Sequence, residues 1–179
     1  LNLPNVPVTD LLIKHNDLIV ATQGRSFWVL DDLALIRQAK PMALNGLQFF
    51  TPEPAVIGNW YSGMNAAMAP KATQDFTGVN PANGVVFYYH LPEGISDKDI
   101  ALEIRDAKDH VIRRFSGLKD PSYSPYEGAP DPNPVLSLKT GLNRFVWDMK
   151  HESLPGIPKA YIETSYSGHK VLAGNYTAI

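Results

Sequence analysis

Short apolar runs closed by turn signals recur along this chain, and they restrict it to folds built from β-strands. Leu18–Thr22, Phe27–Leu30, Val85–Leu91, Val111–Phe115 and Val135–Leu138 are each of strand length. Ile100–Arg105 sets Ile100, Leu102 and Ile104 against Ala101, Glu103 and Arg105. That period of two gives a strand one buried and one wet face. Fifteen Pro and thirteen Gly among 179 residues supply the punctuation. The pattern predicts an all-β protein with a β-sandwich as its main unit.

The N-terminal part reads as strand, turn, strand, turn, strand. Val6–Ile13 is the first strand, and His15-Asn16-Asp17 turns the chain into Leu18–Thr22. Gln23-Gly24-Arg25-Ser26 is a hairpin loop in which Gly24 can take positive φ. Phe27–Leu30 returns. Leu33–Gln38 fits one or two helical turns capped by Asp31 or Asp32. Three short strands cannot bury enough surface alone, so something must cover them. Residues 39–79 read as an irregular connector held down by Leu47, Phe49, Phe50, Trp60 and Tyr61.

Residues 80–179 read as the sandwich. Val111–Phe115 pairs back on Ile100–Arg105 through the turn Ala107-Lys108-Asp109. Pro121–Pro134 is a long loop. Val135–Leu138 and Leu142–Met149 are strands, with Leu142, Phe145 and Trp147 as candidate core. Tyr176–Ile179 is a closing strand with no return partner. An edge left open in that way points to truncation at this end.

Composition narrows the partners. The formal net charge is -2, and no basic patch marks a nucleic-acid surface. The longest apolar runs are far too short to span a membrane. Leu1 opens into a polar, proline-containing stretch and not into a signal sequence. Cysteine is absent, which removes disulfides and thiolate metal sites.

Two stretches carry a family resemblance. Asn16–Asp32, reading NDLIVATQGRSFWVLDD, resembles the last-blade hairpin of large exported bacterial β-propeller proteins of the sortilin-like, BNR-repeat, glycosyl-hydrolase-like group. Gly141–Met149 (GLNRFVWDM) with Leu172–Thr177 (LAGNYT) resembles the immunoglobulin-like domain that follows such propellers, similar to that of the flagellar hook-capping protein. Asn80-Pro81-Ala82-Asn83-Gly84 fits the same pattern. The resemblance implies a blade fragment over residues 1–38, the connector over 39–79 and an Ig-like sandwich over 80–179. It also implies a periplasmic or extracellular parent protein, with several hundred residues before Leu1 and further strands after Ile179. No catalytic residue is carried over, because such a site would lie elsewhere on the propeller.

The chemistry-bearing residues divide between structure and ligand binding. Asp31-Asp32 are adjacent on a strand end and point to opposite faces, poor geometry for paired carboxylates that flank a sugar ring. Arg25 fits a bidentate bridge to Asp31 or Asp32 that pins the blade. His15, His90, His110, His151 and His169 lack metal-ligand spacing, and no calcium-loop pattern occurs among the turn aspartates. No phosphate loop or nucleophile elbow is present. Trp60, Tyr61, Tyr123 and Tyr126 are the rings that can stack on a polysaccharide if they are exposed and coplanar. Trp147 is assigned to the core. The expectation is a non-catalytic module, without cofactor or metal, that closes a propeller and docks a partner or domain. The alternatives are a carbohydrate-binding module and part of a glycoside hydrolase whose active site lies outside this chain. A complete chain with these open edges is expected to dimerise or exchange strands.

Overall fold

The computed structural model describes residues 3, 5–39, 46–58, 82–96, 100–158, 160 and 165–179. These form an all-β, sandwich-like fold of small antiparallel sheets with one short helix. The first sheet joins β1 (Val8–Lys14), β2 (Asp17–Thr22) and β3 (Phe27–Leu30) in chain order. His15 and Asn16 both take positive φ, as a two-residue hairpin turn with the twist of its strands requires. Gly24 (φ 77°) turns the chain from β2 into β3. The helix α1 (Leu33–Gln38) follows and buries Leu33.

The sandwich consists of two further sheets. One has the order β4 (Gln48–Phe49), β5 (Val85–Leu91), β8 (Gly141–Trp147). The other has the order β7 (Val111–Ser116), β6 (Ala101–Arg105), β9 (Thr177–Ala178). Alternation decides which side chains meet between them. Phe87, Tyr89 and Leu91 of β5 and Phe145 and Trp147 of β8 face Leu102 and Ile104 of β6 and Phe115 of β7. The Phe115 and Phe145 rings meet edge to face with centroids 4.7 Å apart, which ties one sheet to the other. Leu136, Met149 and Val171 close the core from the loops.

Four expectations are corrected. Leu142 is 57% exposed, and Asn143 points inward in its place. Inward positions on β8 are 143, 145 and 147, so Leu142 has the wrong parity for a core shared with Phe145 and Trp147. Val135–Leu138 joins no ladder, although Leu136 is buried and its N–H donates to the Ser116 carbonyl at 2.9 Å. The connector is partly regular, because β4 pairs with β5 and Phe49 stacks on Phe87 at 5.8 Å. Phe50 beside it is buried, whereas Leu47 is exposed. The closing strand does have a partner. β9 pairs with β6, Ile104 opposite Ala178, and Ile179 exchanges both backbone hydrogen bonds with Glu103.

Candidate functional site

The residues singled out in the sequence separate in space. Asp32 stands at the start of α1 in the left-handed region (φ 58°), and its side chain makes no capping bond. It accepts instead from the Tyr88 hydroxyl at 2.5 Å. Tyr88 is an outward-facing residue of β5, so this bond links the first sheet to the sandwich. Burial first, and then the Asp32 carboxylate, raises the Tyr88 hydroxyl above the usual tyrosine range. Asp31 is exposed. The bridge assigned to Arg25 does not form: no ion pair to Asp31 or Asp32 occurs among the described residues. Arg25 contributes its backbone carbonyl, which accepts from Trp28 Nε1 at 2.9 Å. Trp147 is a core residue as expected, its indole N–H donating to the Lys150 carbonyl at 2.9 Å.

Of the four rings assigned to sugar stacking, Trp60 and Tyr61 lie outside the described residues. Tyr123 and Tyr126 are half-buried within their own loop. The Tyr123 hydroxyl donates to the Pro130 carbonyl at 3.0 Å. The Tyr126 hydroxyl is buried beside Gly156 and has no hydrogen-bond partner among the described residues.

Two features stand out once these are placed. The first is the uncovered β1–β3 sheet. The register puts Leu12, Ile19 and Val29 in one cross-strand row, with Phe27 next to Val29 on the same face. Leu12, Val29 and Phe27 are 54%, 56% and 73% exposed. The opposite face carries Leu11 and Ile13, also exposed, beside Val20, which is buried. A sheet apolar on both faces is the pattern of strands covered on both sides. Every residue of β1 is exposed.

The second feature is an open groove of about 990 Å³ between the Tyr126–Pro134 loop and the segment after β8. Arg113 lines it at 5% exposure. Its Nη1 donates to the His151 carbonyl and its Nη2 to Asn133 Oδ1 at 3.0 Å, and its guanidinium lies over the Phe115 ring. Its Nε–H is buried and has no acceptor among the described residues. No carboxylate pairs with it among the described residues. Burial, helped by Tyr166 and Tyr123, raises the Tyr126 hydroxyl above its usual range. His151 stacks on His169 with ring centroids 4.0 Å apart. Burial, the second ring and Arg113 together push His151 below its usual value. The sequence signal for Arg113 is parity: it shares the inward side of β7 with Phe115, an anomalous place for a charge. Among the described residues no group of three or more acidic or histidine side chains is placed to hold a metal ion. Among those residues, too, no helix is long and apolar enough to cross a membrane.

Comparison with protein-family models, with curated proteins and with solved structures finds no match for this chain.

Proposed function

We propose that this chain is a non-catalytic module whose first sheet docks against a further β-sheet of a larger exported protein, and whose sandwich is the domain appended to it. One observation carries the proposal: β1–β3 is apolar on both faces, and Leu12, Phe27 and Val29 are exposed on one of them. Isolated three-stranded sheets are marginal in water, and an open apolar face of this kind is a surface awaiting cover. The blade-like sequence Asn16–Asp32 supports a propeller as the source of that cover, since propeller blades stack face to face. The same resemblance carries a periplasmic or extracellular setting for the parent protein. Bonds within the chain tie the first sheet and α1 to the rest of it and leave the open face free for docking. Tyr88 to Asp32, Gln38 to the Thr51 backbone and Asn16 to Glu53 are those bonds.

The chain lacks cysteine, so single-cysteine labelling tests this cleanly. Leu12→Cys and Val29→Cys are expected to react freely with a thiol reagent in the chain alone. In the protein extended upstream by its coding sequence, they are expected to react at least tenfold more slowly. Equal rates in both, or a coding sequence without blade-length repeats before Leu1, would overturn the proposal.

A further inference from the structure

The outer edge of β1 pairs with no other strand among the described residues, and every residue of β1 is exposed. We propose that this edge pairs antiparallel with the same edge of a second copy of the chain, about a two-fold axis through Leu12. Two three-stranded sheets then join into one of six strands. The assignment does not rest on the docking proposal, because docking uses the faces of the sheet and self-pairing uses its edge.

The register follows from which backbone groups face outward. Residues that flank a two-residue hairpin turn bond to each other, so Lys14, Leu12 and Asp10 direct their backbone groups to Asp17, Ile19 and Ala21 of β2. Leu11 and Ile13 therefore point their N–H and C=O groups away from the sheet. The Leu11 N–H is held by the carboxylate of its own neighbour, Asp10, at 2.8 Å. When two such edges pair, outward residues meet outward residues. Centring the pair on Leu12 sets Leu12 opposite Leu12, Leu11 opposite Ile13 and Asp10 opposite Lys14. Every apolar side chain then meets an apolar one, and both charges meet their opposites. Centring it on Leu11 puts Asp10 against Leu12, and centring it on Ile13 puts Leu12 against Lys14. Centring it on Asp10 brings two carboxylates together. Charges at the ends of an apolar edge discourage pairing with arbitrary strands. A second copy escapes that penalty, because a two-fold axis reverses the order of the charges by itself. Pairing breaks the Asp10 bond to the Leu11 N–H. The Ile13 carbonyl of the second copy then accepts from that N–H, and its Lys14 takes the carboxylate.

The test is the oligomeric state of the whole chain by sedimentation at about 100 μM, where a micromolar dissociation constant leaves mostly dimer. The unaltered chain is expected to be a dimer. Asp10→Lys and Lys14→Glu each set like charges together in this register. Each variant alone is expected to dimerise at least tenfold more weakly. Mixed in equal amounts, the two are expected to form a heterodimer about as tight as the unaltered pair, since each supplies the charge that the other lacks. The mixture also separates pairing from folding. Lys14 lies opposite Asp17 within its own sheet, and any local damage from Lys14→Glu is carried into the mixture unchanged. A monomeric unaltered chain overturns the proposal. So does a dimer indifferent to both substitutions, which would place the contact on the open faces of the sheet. A mixture that associates no more tightly than its separate components overturns it as well.

Discussion

Asn143 occupies a position that alternation assigns to an apolar side chain. It is 4% exposed, yet every polar atom of its amide is used. Its Nδ2 donates to the Lys139 and Gly141 carbonyls at 2.6 and 2.9 Å, and its Oδ1 accepts from Ser137 Oγ at 2.6 Å. One side chain thereby shapes the bend that delivers the chain into β8. Asn143→Leu keeps the volume and strands those partners, so the variant should lose about 1–3 kcal/mol in urea unfolding. Ser137→Ala should lose less, since it removes one bond to Asn143 and one long bond from the Lys139 N–H at 3.5 Å. Choosing core residues by hydrophobicity selects Leu142 here, whereas counting by twos selects Asn143, and only the second rule reflects how side chains leave a strand. Arg113 escapes notice for the same reason. Asp32 fails as a cap because its left-handed backbone turns the carboxylate toward Tyr88 and away from the first turn of α1.

Elements with strong local signals were legible from sequence. Phe27–Leu30, Leu33–Gln38 and Val85–Leu91 have in the structure the limits that apolar patterning and flanking polar residues give them. Elements defined by distant partners were not. β4 is two residues long, below any periodicity, and exists because Gln48 and Phe49 lie opposite His90 and Tyr89. Val135–Leu138 shows the converse, a strand-like sequence that meets no ladder. Among the described residues the first sheet and the sandwich are coupled by few bonds, and the Tyr88–Asp32 bond reaches from β5 to the residue that precedes α1. Tyr88→Phe should therefore raise hydrogen exchange at Leu33 and Leu35 by roughly tenfold, about 1–2 kcal/mol of local opening. Amides of β5 and β8 should keep their protection. A uniform rise across both units would mean that the bond stabilises the whole protein and not the junction.

At the scale of the whole molecule, the displaced ionisations set a stability window. His151 takes up its proton below the usual 6.5 when folded. The unfolded chain therefore binds more protons as the pH drops past that value, and stability falls on the acid side. Glu103, held down by Arg105, adds to this at lower pH, as do Asp106, held by the His110 N–H, and Asp120, held by Ser122. Each contribution is present above the carboxylate range and lost below it. Tyr88, Tyr89 and Tyr126 are raised above 10.0, chiefly by burial, so their share holds until alkaline pH and is then lost. Urea midpoints should be level from about pH 7 to 9 and decline toward pH 5. His151→Gln should flatten the first part of that decline, and an unchanged profile would remove His151 from the account. The all-β class and the sandwich were readable because alternation survives over whole strands, whereas the groove was not. Its walls come from loops without period, brought together only by closure of the chain. The closure near His151 also decides how the chain withstands a cut. Lys150 bridges to Lys170, the His151 N–H donates to the His169 carbonyl, and Gly168 passes where any larger residue would strike the His151 carbonyl. Above that base the Leu154 N–H donates to the Tyr166 carbonyl at 2.8 Å, and Tyr166 is buried, so the two limbs are joined a second time. A backbone cut between Leu154 and Tyr166 would therefore leave both severed ends tethered to the sandwich, and the nicked protein should run as one species until it is denatured.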